Sequence, residues 1–108
     1  IRAKISTDAY VHIANEDNVI PLDVQLHPNY PNPFNPSTMI SFTINNNIKV
    51  LLEIYDIKGR KIETLINSEL RAGQHNIAWN GAQYSSGIYF VNLKTANFDR
   101  KQKITLLK

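Results

Sequence analysis

Cysteine is absent from the 108 residues, which removes disulfides, thiolate chemistry and every zinc site that needs Cys. The compartment stays open, because a bacterial surface protein dispenses with disulfides as readily as a cytosolic one. No run of 18 apolar residues occurs, so no segment reads as a membrane-spanning helix. No stretch sustains a helical apolar period either. Charge of one sign is also lacking: 12 basic residues face 9 acidic ones, and a net +3 is too mild and too scattered to mark a nucleic-acid partner. Proline is missing from everything beyond Pro36; all five prolines lie between Pro21 and Pro36. No signal peptide opens the chain, which starts at Ile1 and reads as a fragment of something longer or a processed product.

The groupings that carry chemistry are missing as well. His12, His27 and His75 lie far apart, without an HxH or HxxxH spacing, so no metal site is expected. Ser37, Ser85 and Ser86 lack the G-x-S-x-G setting of an activated nucleophile. Gly59, Gly73, Gly81 and Gly87 form no phosphate-binding cluster. Glu53 and Asp56 stand three apart on a strand, hence on opposite faces, and are not expected to share acid–base work. Neither an enzyme nor a cofactor is expected.

What is present is strand grammar. From Thr38 onward the chain alternates apolar and polar residues in six short runs broken by Gly or Asn. In "TMISFTI", Ile40, Phe42 and Ile44 share a face; "KVLLEIYDI" aligns Val50, Leu52 and Ile54; "IYFVNLKT" aligns Tyr89, Val91 and Leu93. "RKIETLI", "HNIAWN" and "RKQKITLLK" supply the other runs, and "NSELRAGQ" reads as a long connection. The pattern predicts an all-β antiparallel sandwich of about seven strands, with a small barrel as the alternative. Residues 1–17, "IRAKISTDAYVHIAN" and its flank, alternate separately and read as a hairpin or the remnant of an upstream domain; 18–25 reads as linker, and 26–108 as the main domain.

Between linker and strands lies "YPNPFNPST" (30–38). Proline biases each preceding residue towards extended geometry and supplies no ladder N–H, so the segment is stiff without being a regular strand. Tyr30 and Phe34 give it apolar anchors, which predicts a strap pinned across one end of the sheets. Tyr30-Pro31 is a candidate cis bond. A sugar-binding platform built from Tyr55, Trp79, Tyr84 and Tyr89 competes with a core role for Trp79 and Tyr89, which the alternation favours. The lysines of the last strand suit either edge protection or presentation to a receptor.

Taken in order, "NYPNPFNPSTMISFTI", "VLLEIYDIKGRKIETLI", "LRAGQHNIAWNG", "SSGIYFVNLKT" and "KQKITLLK" resemble the type A C-terminal sorting domain of the type IX (Por) secretion system, from about Leu26 to Lys108. The resemblance implies an Ig-like sandwich ending a secreted protein of the Bacteroidetes or related phyla, related in fold to the Ig-like domain of the flagellar hook-capping protein. It implies, as partners, the outer-membrane secretion machinery, a sortase-like protease and a cargo domain N-terminal to this stretch. Location would be secreted or at the bacterial cell surface, reached through the periplasm, with anchoring to lipopolysaccharide often following. By the same resemblance, Pro31, Asn32, Pro33, Phe34, Asn35 and Pro36 form the lead-in motif. Gly59 and Arg60 form the hairpin signature, and Gly87 and Tyr89 the late-strand signature. Lys103, Leu106, Leu107 and Lys108 belong to the terminal element read by the translocon. Cleavage is expected within Asn15 to Gln25. A carbohydrate-binding or structural accessory module of a secreted hydrolase remains the competing function.

Overall fold

In a computed structural model, residues 24–108 are described; the expected hairpin over 1–17 and most of the linker lie outside them. Seven strands follow: β1 (Val24–Leu26), β2 (Ser37–Ile44), β3 (Ile48–Asp56), β4 (Lys61–Leu70), β5 (Gly73–Asn80), β6 (Gly87–Thr95) and β7 (Phe98–Leu106). They form two antiparallel sheets ordered β1-β2-β5 and β4-β3-β6-β7. Two separate sheets with a shared core make this a sandwich, consistent with an Ig-like fold, and the barrel alternative falls away.

Period-two alternation decides which face each strand buries. Thr38, Ile40, Phe42 and Ile44 of β2 point inward, opposite Val50, Leu52 and Ile54 of β3, Tyr89, Val91 and Leu93 of β6, and Ile104 and Leu106 of β7. Each such aliphatic or aromatic side chain contributes about 1.5–3 kcal/mol relative to exposure.

Two expectations are corrected. "NSELRAGQ" is not a long connection: β4 continues to Leu70 in register with Ile48, leaving Arg71 and Ala72 as the turn, where Asn47 Oδ1 accepts from the Ala72 N–H at 2.8 Å. Asn67, Ser68 and Glu69 are polar because β4 is an edge strand wet on its outer side, not because the chain turns. The sheet also reaches back into the expected linker, since Val24 and Gln25 pair with Ile44 and Thr43.

The register orients the molecule. Val24 opens β1 beside Ile44 and Gly73, at one end of the sandwich. The far end holds Ser37, Asn80, the β3–β4 hairpin, Gly87 and Leu106.

Candidate functional site

That far end is built around the proline strap. Its approach is fixed by a buried polar knot: Asn29 donates to Thr38 Oγ1 at 3.0 Å, and Thr38 donates to the Pro31 carbonyl at 2.8 Å. Tyr30 and Met39 exchange backbone hydrogen bonds at 3.1 and 2.8 Å. The strap then leaves β2 and crosses to the other sheet. Gln102 of β7 donates to the His27 carbonyl at 3.2 Å, and Asn32 Oδ1 accepts from the Thr105 N–H at 3.1 Å. Phe34 completes the crossing as a parallel bridge to Leu106: its N–H donates to the Thr105 carbonyl and its carbonyl accepts from the Leu107 N–H, both at 2.9 Å. The Thr105–Leu107 end of the β7 edge is thereby covered by a segment whose prolines offer little for further pairing. Peptide bonds before Pro31, Pro33 and Pro36 are cis, the first as expected.

Phe34 is 1% exposed, and its ring meets Trp79 at 5.7 Å between centroids. Trp79 in turn meets Tyr84 and Tyr89 at 5.7 and 5.8 Å. Trp79 and Tyr89 are therefore core residues, as the alternation requires. The indole N–H donates to Glu63 Oε1 at 3.0 Å, which also accepts from the Tyr84 hydroxyl at 3.2 Å. Burial, then the nearby Glu63 carboxylate, raises the Tyr84 hydroxyl above its ordinary value. Gly81 sits under this stack: an added Cβ would lie 3.2 Å from a Leu106 methyl and 3.6 Å from the Phe34 ring. That close approach leaves little room for a side chain at Gly81, a role that sequence reading missed.

The β3–β4 hairpin turns at Gly59, whose φ of 83° is open to glycine at little cost. Asp56 organises the turn: Oδ1 accepts from the Lys58 and Arg60 N–H groups, and Oδ2 from Arg60 Nε, all at 2.9 Å. The Arg60 backbone bond, with the others, holds the Asp56 carboxyl below its ordinary value. Glu53 is taken up separately by Tyr55 (2.9 Å) and Lys61 (3.3 Å). His27 bonds Thr43 Oγ1, and His75 stacks on Phe42, well apart from one another. Among the described residues no group of three or more metal-ligating side chains is gathered.

Gly87 pairs with Leu106, and the Tyr89 hydroxyl donates to the Ser85 carbonyl at 2.6 Å. Lys103 projects into solvent, Leu106 is fully buried, and Leu107 is 56% exposed. Lys108 folds back: its N–H donates to Ser86 Oγ at 2.9 Å, and its ammonium to the carbonyls of Ala82 and Tyr84 at 2.6 and 2.9 Å. Four blocks far apart in sequence thus meet at one end, with an open groove of about 410 Å³ between the hairpin and the 81–86 loop. Pro31, Asn32, Pro33 and Asn35 line the exterior, Pro36 is half-buried, and Phe34 is the inward anchor.

Residues 29–106 match the family described as the secretion system C-terminal sorting domain. No curated protein matches the chain. With most of the chain inside that match, and with the strap, hairpin and late-strand blocks gathered on a two-sheet all-β body, the chain belongs to the family of type IX secretion C-terminal sorting domains.

Proposed function

We propose that this domain is a non-catalytic address, carried by a secreted or cell-surface protein, whose lead-in end is what the outer-membrane export machinery reads. The observation that carries this reading is the meeting of the Pro31–Pro36, Gly59–Arg60, Gly87–Tyr89 and Lys103–Lys108 blocks at the end opposite Val24. The described chain enters at Val24, at the end of the sandwich opposite those blocks. Passage runs through the periplasm, and a sortase-like protease then cuts upstream of Leu26, within Asn15 to Gln25. The accessory-module alternative loses its main support, because Trp79 and Tyr89 are unavailable to a sugar.

The test is export of the cargo-bearing protein after removal of residues 103–108. Retention inside the cell is expected, with the cargo still folded. Undiminished export would refute the sorting role. Export that survives while a glycan binds at half-buried Tyr55 would transfer the case to the accessory module.

A further inference from the structure

Charge is distributed unevenly between the two sheets. β1, β2 and β5 contain no Asp, Glu, Lys or Arg, and every charged residue of the strands lies in β3, β4, β6 or β7. The sheet edges differ in the same way. β7 carries Asp99, Arg100, Lys101 and Lys103, and Phe34 caps it over Thr105–Leu107. β4 carries Lys61, Glu63 and Glu69, and two register shifts interrupt its pairing. β1 is three residues long. β5 has none of these protections: it runs eight residues in unbroken register with β2, without proline, bulge or charge. Its outward groups follow from the phase of β2. Met39 exchanges backbone bonds with Tyr30, and the Ser41 carbonyl accepts from His27, so those residues face the strap side. Thr38, Ile40, Phe42 and Ile44 therefore bond towards Trp79, Ile77, His75 and Gly73, and the Gly81 N–H meets the Pro36 carbonyl in the same phase. The N–H and C=O groups of Gln74, Asn76, Ala78 and Asn80 are left pointing out along the edge, and all four residues are exposed. Among the described residues none bonds to these backbone groups, and the sole side-chain bond of the four runs from the Ala82 N–H to Asn80 Oδ1 at 2.8 Å.

We infer that this edge pairs with the same edge of a second copy, β5 against β5, antiparallel about a two-fold axis at Ile77. Gln74 of one copy then lies opposite Asn80 of the other, and Asn76 opposite Ala78. The outward residues thus fall on hydrogen-bonded pairs that exchange both backbone bonds. Two three-stranded sheets become one of six strands. The occupant is a second copy because the edge is complementary to itself. Carboxamides both donate and accept, so Gln74 bonds Asn80 Nδ2 of the other copy while Asn80 Oδ1 keeps the Ala82 N–H. Two chains of net +3 repel least where neither bears a charge. Arg71, the cation next along the chain, sits beyond Gly73, so the two copies place it at opposite ends of the pair. An isologous contact of this kind closes at two copies. One strand edge buries less than the about 1,200 Å² of a standard interface, so the pair is weak, with a Kd on the order of 0.1 mM. Antiparallel pairing points the two lead-in ends in opposite directions. Pairing does not depend on the sorting reading.

Sedimentation velocity on the 108-residue chain from about 10 µM to about 1 mM brackets that affinity, and amide exchange at the two extremes locates the contact. The parental chain should pass from monomer to dimer, and the Asn76 and Ala78 amides should exchange severalfold more slowly at the high concentration. Ala78→Lys sets like charges close to the axis and should weaken association about tenfold or more. Asn76→Pro removes an outward N–H that the monomer does not use, and should weaken it likewise. Melting temperatures close to the parent's show that both variants keep the fold. Met39→Lys adds the same charge one strand in from the edge and should weaken association far less. Should a β5 variant fail to fold, amide exchange of the parental chain still decides the matter. A parental chain that stays monomeric at the top of the range overturns the inference. Undiminished dimers of both folded β5 variants overturn it as well, because the contact then lies elsewhere, residues 1–23 included. Growth beyond two copies overturns the closed pair. Asn76 and Ala78 amides protected only by an extended segment of another protein overturn the second copy and give the edge to that segment.

Discussion

Replacing Phe34 with Ala isolates what the strap contributes to the sandwich. Phe34 is 1% exposed and wedged between Trp79, Gly81 and Leu106, where neighbours on three sides cannot close the space it leaves. Truncating a fully buried Phe costs about 3–5 kcal/mol, a transfer loss plus the cavity left behind. Its backbone bonds to Thr105 and Leu107 survive the substitution, so the loss measures packing alone. Against a total of about 5–15 kcal/mol for a domain of ordinary stability, that is a large share. At about 4–8 °C per kcal/mol for a domain of this size, the melting temperature should fall by more than about 10 °C. Thermal melts followed by circular dichroism read this directly, with Tyr30→Ala as control, since Tyr30 is 80% exposed and should change little. A Phe34→Ala melt within about 2 °C of the parent would mean that the strap lies on the fold without closing it.

Further outcomes follow from the same geometry. Gly81→Ala should cost about 1–3 kcal/mol by overpacking, because the new methyl meets Leu106 at 3.2 Å with Trp79 and Phe34 blocking its retreat; an unchanged chemical-denaturation midpoint would contradict this. Asp56 favours its ionised form in the folded state, chiefly through the Arg60 N–H, so its contribution is complete above the ordinary value near 3.8 and disappears as pH falls through the lowered folded value. The stability gap between the parent and Asp56→Asn should therefore shrink on acidification below about pH 4, and melts across pH 6 to 2.5 that keep a constant gap would refute the assignment. Gly59→Ala should destabilise by about 1–2 kcal/mol because φ is positive there, with Gly59→Asn milder; equal melts for the two would show that the turn relaxes to another shape.

Much of the body is legible in the chain because β2, β3 and β6 each carry an alternating apolar face that period two points inward. Glu53 and Asn92 are nonetheless buried on the opposite faces of β3 and β6. Edge strands are less legible. Asn67 to Glu69 look like loop residues because water satisfies the outer side of β4, and nothing local tells a wet edge from a turn. The strap's anchors, Tyr30 and Phe34, stand out from the prolines around them, yet the two behave oppositely: Phe34 is buried while Tyr30 faces solvent. What no local pattern conveys is the parallel bridge from Phe34 to Leu106, across more than 70 residues, or the return of Lys108 to the 81–86 loop. One signal was available for the polar knot: Thr38 falls on the inward face of β2, and a buried hydroxyl needs a partner, which Asn29 and the Pro31 carbonyl provide.

The most direct test of the whole account is transfer of function. The 108-residue chain, joined to the C-terminus of an unrelated folded periplasmic protein in a bacterium with an active type IX system, should send that passenger to the cell surface or medium. A Phe34→Ala copy should be exported poorly. A passenger that stays in the periplasm with the domain folded and attached would contradict the claim that this end of the sandwich is an address.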